Sequence, residues 1–306
     1  MNARVAPQGA DDLKSRVVEF ARAASTEIST MDEAIVGDLV GVLPKGITVY
    51  VAHTPKASLD DVVRVATKVQ QLGFRASPHI VARRLESELA LRAALGQLAQ
   101  AGVEQVLLVA GDREQPLTYT STLEVIDTGA IEQSGIKWAS VAGHPEGHRH
   151  AGPAVLLAAL KHKQAWGERT GVKVQIATQF GFDMELNCKW AKSLEEQGIT
   201  LPINIGIAGP TPLPKLIKFA MACGVGASLG SVMKNMTAMT NLARMAVGPD
   251  QMMVGMLRGC ETYGVTRIVR PHLYAFGGVM ATSKWLRQVQ DGQFEIVEND
   301  KFAMHS

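Results

Sequence analysis

Residues Gly102-Val103-Glu104-Gln105-Val106-Leu107-Leu108-Val109-Ala110-Gly111-Asp112 decide the fold. An Ala- and Leu-rich stretch of helical character runs to about Ala101 and stops at Gly102. Val106 to Ala110 is an unbroken apolar run, and the chain then turns on Gly111-Asp112. Apolar residues without alternation are the pattern of a strand covered on both faces, as in a parallel sheet. Parallel neighbours need crossover connections, usually helical, so strand and helix should alternate on either side.

They do. Towards the N-terminus lie strand patterns at Phe74–Ala82, Ile47–His53 and Ala24–Ser29. A helix follows the Ser58/Asp61 capping box and buries Val62, Val65, Ala66, Val69 and Leu72 before Gly73 stops it. Another is expected over Met31–Val42. Towards the C-terminus, helices over Ser121–Gln133, Pro153–Glu168 and Asp183–Gln197 alternate with strands at Ile136–Ala142, Val172–Phe180 and Ile203–Ala208. A Met- and Ala-rich helical region, Pro214–Tyr263, breaks near Gly226 and Gly248, and a strand at Val265–Leu273 and a helix at Gly278–Val289 close the series. Eight βα units predict an α/β fold with a single (β/α)8 TIM barrel. A doubly wound sheet would need a ligand fingerprint at its first strand-to-helix turn, and none is there. Residues 1–306 thus read as one barrel domain, with a short N-terminal extension (about 1–15) and a polar tail (about 290–306) that packs loosely.

Composition narrows the function classes. The 306 residues are 46% hydrophobic and 20% charged, a balance that excludes disorder, collagen and coiled coil. A net charge of +2 and an aromatic share of 5% give no argument for a nucleic-acid or acidic-membrane partner. Cys188, Cys223 and Cys260 have no paired spacing, so neither a zinc knuckle nor a disulfide framework is indicated. Isolated thiols, no signal-peptide run and no membrane-length apolar segment predict a cytoplasmic protein.

A barrel of this kind collects its chemistry at the C-terminal ends of strands. Those ends carry Glu27, His53, His79, Asp112, His144, Glu146, His148, Gln179, Pro210 and His272. The other ends carry Lys45, Arg75, Gln105, Lys137, Lys173 and Arg267, which read as a solvated rim. Glu27 has no other charge between Arg22 and Asp32. Burial there is expected to raise its pKa and keep a general acid protonated. A single strand-end histidine is more often structural than catalytic. The run His144-Pro145-Glu146-Gly147-His148-Arg149-His150 permits a metal-dependent hydrolase as a rival reading. Against it, the first strand carries Thr26-Glu27-Ile28 rather than a His-x-His pair, and His148 and His150 follow Gly147 in a loop. A Schiff-base role for Lys173 is weaker still, since that residue starts its strand.

Taken together, Ser77-Pro78-His79-Ile80, Gly111-Asp112, Pro145-Glu146 with His148, and Thr178-Gln179-Phe180-Gly181-Phe182-Asp183 resemble the methylenetetrahydrofolate reductase family, in order and over nearly the whole barrel. The Gly206-Ile207 turn with its Pro-containing loop is similar to the family's seventh strand. The resemblance implies reduction of 5,10-methylenetetrahydrofolate to 5-methyltetrahydrofolate by NADH or NADPH, usually through FAD. It implies Glu27 as the acid that protonates the departing nitrogen, and Asp112 and Gln179 as partners of the pterin, Asp112 also modulating charge near a flavin. Leu213 stands where the family has an aromatic that packs on folate or nicotinamide. The resemblance implies flavin contacts at His79, His148 and Lys163; His53, Gly111 and His144 at the strand ends complete the candidate cofactor-binding set, and Gly277 and Gly278, after Phe276 and before the last helix, read as a phosphate seat.

The flavin contacts depart from the family pattern. Ala110 replaces an Arg, His144 a Tyr, Leu156 an Asp and Ala159 an Asn, and Tyr50-Val51-Ala52 replaces a Thr-Tyr-Gly stretch. Losing several hydrogen bonds of roughly 1–3 kcal/mol each weakens a cofactor by orders of magnitude. Two mechanisms stay open: FAD held through altered contacts, or NAD(P)H passing hydride directly to the folate. A non-catalytic folate-binding subunit is the further rival, against which Glu27 argues, because binding alone needs no buried acid. A homo-oligomer could use Met233, Met236, Met239 and Met245 on a partner-facing helix, although core packing is the simpler role for methionines.

Overall fold

The computed structural model describes residues 8–223 and 248–305. Eight parallel strands close a barrel in sequence order: β1 Ser25–Ser29, β2 Thr48–Ala52, β3 Arg75–Val81, β4 Gln105–Val109, β5 Trp138–Gly143, β6 Lys173–Phe180, β7 Ile203–Ala208 and β8 Ile268–Tyr274. The helices are α1 Gln8–Arg22, α2 Leu59–Gln71, α3 Glu88–Gln100, α4 Thr122–Asp127, α5 Ala130–Gln133, α6 Pro153–Thr170, α7 Met184–Glu196, α8 Leu213–Cys223, α9 Pro249–Tyr263 and α10 Val279–Gln290. The predicted barrel is therefore the observed one. Ser58 caps α2 as its sequence requires, accepting from the Asp61 amide while Asp61 accepts from the Ser58 amide.

Four expectations need correction. From Gln8 onward the N-terminal extension is helical: α1 buries Val17, Phe20 and Ala21 against the barrel wall. The polar tail folds into an antiparallel hairpin of β9 Phe294–Ile296 and β10 Phe302–Met304, with Phe294 fully buried. Thr30–Gly41 is a 3-10 helix, where Gly37 and the β-branched Ile35 and Val36 disfavour the wider α turn. The helix expected over Ser121–Gln133 splits into α4 and α5 at Gly129, whose φ is +69°. The methionine set at 233–245 lies outside the described residues. Among the described residues, no helix is long and apolar enough to cross a membrane.

Barrel interiors are usually packed with branched aliphatics. This one is polar towards its foot. Tyr50 and Ser140 share a hydrogen bond of 2.8 Å, Gln175 Nε2 donates to Ser140 Oγ at 2.9 Å, and Gln105 Nε2 donates to Ser77 Oγ at 3.2 Å. Asn204 Nδ2 reaches the Tyr50 hydroxyl at 3.4 Å. Gln105, expected on a solvated rim, is instead buried, because strand alternation turns it inward. The network forms the floor beneath the mouth, and the Tyr50 ring is its uppermost member. That ring lies 4.5 Å from His272 and 6.3 Å from His79, edge-on to both.

Candidate active site

Glu27 projects into the mouth from the middle of β1. Its Oε2 lies 3.2 Å from His79 Nε2 and 3.9 Å from His272 Nε2. The His79 approach is close enough for an ion pair but is out of line for a hydrogen bond. Ser25 Oγ holds His272 Nδ1 at 2.9 Å, which fixes the ring so that its other nitrogen faces Glu27. Parallel pairing brings these groups together: β1 lies between β8 and β2, with Ser25 in register with His272, and β3 follows β2. Burial alone would push the Glu27 pKa up, as the sequence suggests, but contacts with His272 and His79 outweigh it and bring it down to about 2. The expectation of a resting, protonated acid is corrected accordingly. Glu27 rests as a carboxylate between two imidazoles.

His53, just beyond β2, has Nε2 3.0 Å from the Ala57 carbonyl, while its buried Nδ1 has no partner. Burial, with Arg84 and His79 nearby, lowers its pKa and favours the neutral ring. Across the barrel, the His144 and His148 rings are 4.8 Å apart and those of His148 and His150 are 5.8 Å apart. Burial, then His148 and Lys163, lowers the His144 pKa to about 4, and burial lowers that of Lys163 to about 8. Among the described residues, no three His, Cys, Asp or Glu side chains are placed to hold a metal ion.

Gln179 owes its position to an irregularity in β6. The β6–β7 register shifts between Ala177 and Phe180, and side chains replace the missing ladder bonds. The Gly206 amide donates to Thr178 Oγ1 at 2.8 Å, that hydroxyl donates to the Gln179 carbonyl at 2.8 Å, and the Tyr274 hydroxyl donates to the Thr178 carbonyl at 2.8 Å. Gln179 Nε2 is left buried without a partner, an amide prepared for a ligand. Phe180, Tyr274 and Phe276 pack on one another, and Phe219 stacks on Phe276 at 4.6 Å. Gly277, at φ +74°, leaves room for Lys215, whose Nζ lies 3.1 Å from where a Cβ would stand. With Gly278 it opens α10.

Not every expected residue converges. Asp112 is 81% exposed and pairs with Arg84 Nη2 at 3.2 Å, so the structure does not bring it to Glu27. Gly111, at φ +89°, packs so tightly on Val81 that any side chain would collide with it. Leu213 begins α8, and its side chain lies outside the described residues. Ser25 and Lys215 have no role in the sequence reading, and Tyr50 enters it only within a stretch that departs from the family pattern. Inward alternation from Glu27 points to Ser25, but nothing local marks Lys215 or the inward role of the Tyr50 ring.

Leu156, Ala159 and Lys163 follow one face of α6, and of these only Lys163 carries a polar group. The ammonium suits an anionic or carbonyl edge, but the apolar stretch offers nothing to a ribityl chain or phosphate. On this face of α6, Leu156 and Ala159 therefore offer a flavin no hydrogen bond.

A closed parallel barrel with a carboxylate, histidines and an unpaired amide at the C-terminal mouth defines a TIM-barrel enzyme architecture. The family model described as methylenetetrahydrofolate reductase matches residues 39–289, most of the chain. The chain belongs to that family, whose members are folate-related oxidoreductases that usually use a flavin and a nicotinamide. Similar solved structures include dihydropteroate synthase from Thermus thermophilus, at 13% identity and TM-score 0.44, covering 86% of this chain and 91% of that one. Tryptophan synthase from M. tuberculosis in its aminoacrylate-bound form matches at 10% identity and TM-score 0.48, covering 92% and 97%. Likeness at this level carries no functional argument.

Proposed function

We propose that the protein reduces 5,10-methylenetetrahydrofolate to 5-methyltetrahydrofolate, taking hydride directly from NAD(P)H bound beside the folate. The observation that carries this reading is the Glu27 carboxylate held between His79 and His272 in a chain of this family. Opening the bridged aminal requires a proton at the departing nitrogen. A carboxylate with a pKa of about 2 does not hold that proton at rest, so Glu27 takes it up only once the folate is bound and delivers it through Oε2. Ser25 keeps the His272 ring aligned for the transfer. Pterin binding covers the carboxylate and removes water, which favours its protonated form. Gln179 Nε2 donates to the pterin, replacing the hydrogen bond it lacks. The wall of Phe180, Tyr274 and Phe276 suits a nicotinamide ring, and Lys215 with the Gly277-Gly278 turn suits its phosphates. NAD(P)H supplies the hydride, which needs the two carbons about 3–3.5 Å apart in one ternary complex.

The test is turnover by the isolated chain with NAD(P)H and methylenetetrahydrofolate, alongside its visible spectrum. A colourless protein that forms one methyl product per NAD(P)H oxidised is expected. Bound flavin that NAD(P)H bleaches would overturn direct transfer, and stoichiometric zinc would overturn the reductase reading.

A further inference from the structure

We propose that the foot of the barrel, opposite the mouth, carries a second binding site that takes a small oxyanion. A cavity of about 340 Å³ opens at the N-terminal ends of the strands, lined by Arg75, Arg270, Gln105, Gln175, Trp138 and Glu104 among others. Arg75 begins β3, and alternation on β8 turns Arg270 inward, two residues below His272. Neither guanidinium has a hydrogen-bond or ion-pair partner among the described residues, and Arg270 Nε is buried. A guanidinium on a solvated rim keeps its N–H groups in water. Arg270 does not.

The cavity floor is also built for a polar guest. Gln105 and Gln175 are buried, and their amide nitrogens are anchored on Ser77 and Ser140, which fixes both side chains at the inner end of the cavity. Glu104 is the carboxylate in the lining, and Lys137 pairs with it. Lys173 lies over the Trp138 ring at 5.0 Å and adds a further positive charge at the wall. The balance favours an anion. Two forked guanidiniums match the paired oxygens of a phosphate or carboxylate. At about 340 Å³ the volume holds such a group with water, and it lies at the low end of the roughly 300–1,000 Å³ typical of ligand pockets. The ligand class is thus a compact dianion, either inorganic phosphate or a short dicarboxylate. This site is independent of the reductase reading, since none of its residues lies at the mouth.

Titration of the full chain with sodium phosphate, and separately with malonate, at ionic strength held constant with chloride tests the proposal. Trp138 fluorescence and calorimetry are read in parallel. Saturable one-to-one binding of either anion is expected, and which anion binds identifies its source. Arg270→Gln and Arg75→Gln should each weaken it by about tenfold or more, the scale of losing one charge-assisted hydrogen bond. Arg75 is exposed, so its variant carries the test if Arg270→Gln does not fold. Trp138→Phe should remove the optical signal and keep the heat. Binding that neither arginine variant weakens, or signals that chloride reproduces, would overturn the site.

Discussion

Glu27 owes its state to two opposed effects, burial that favours the neutral acid and two imidazoles that favour the carboxylate, and the imidazoles prevail. We predict that Glu27→Gln lowers turnover by about 10²–10⁴-fold, the usual range for a general acid, while folate binding survives. Near-normal turnover would remove Glu27 from the mechanism. A second prediction concerns stability. With the folded pKa at about 2 against an ordinary 4.5, the folded protein binds fewer protons than the unfolded chain between those values. The stabilisation is complete above about pH 4.5 and is lost as pH falls towards 2, a swing of roughly 3 kcal/mol at most. Urea unfolding at stepped pH should show that acid limb in the wild type and a flatter one in Glu27→Gln. Equal limbs would mean the histidine contacts do not hold the carboxylate. Glu27 itself was legible in the sequence, because it stands alone among small and apolar residues. Its partners were not legible as partners, since His79 and His272 come from strands far apart in the chain and meet only when the barrel closes.

Elements were read well where punctuation is local. The bounds of β7 and the cap of α2 follow from their residues, whereas the irregularity in β6 left no mark that periodicity could show. It rests on Gly206. A Cβ there would stand 2.7 Å from the Gln179 carbonyl carbon and 2.8 Å from the Phe180 amide nitrogen, main-chain atoms that cannot swing away. Gly206→Ala should therefore destabilise by about 2 kcal/mol or more and reduce activity in the fraction that still folds. An alanine variant with unchanged stability and turnover would show that Gln179 is aimed by something else. On α6, Lys163 makes the opposite argument, because burial makes its charge a liability. Its folded pKa of about 8 lies below the ordinary 10.5, so wild-type stability should rise as pH climbs between them. Lys163→Met should be more stable at pH 7, by up to about 3 kcal/mol, and the gap should close towards pH 10.5. A less stable variant at pH 7 would show that the ammonium has a stabilising partner.

At the scale of the whole molecule, the barrel is legible from its eight alternations, but the means of closing it are not. The seam between β8 and β1 has two paired positions, Ser25 with His272 and Thr26 with Leu273, against five between β1 and β2. The site straddles that short seam, since Ser25 and Glu27 stand on one side of it and His272 on the other. The two ends of the chain brace it from outside. Arg22 Nε donates to the Gln290 carbonyl at 3.1 Å, Gln290 Nε2 donates to the Ala21 carbonyl at 3.0 Å, and Lys14 pairs with Glu295 at 2.8 Å. Phe294 anchors the hairpin, fully buried and stacked on Phe302 with ring centres 4.2 Å apart. Polar composition hid this bracing, because strands of three residues are too short to show a period. Phe294→Ala should cost about 3–5 kcal/mol, as for other buried aromatics cut back to alanine. Local opening should then appear first in α1 and at the β1–β8 seam, read by amide hydrogen exchange, with turnover falling as Ser25 and His272 part. Uniform loss of protection around all eight strands would instead mean that the hairpin stabilises the barrel as a whole and does not guard the seam.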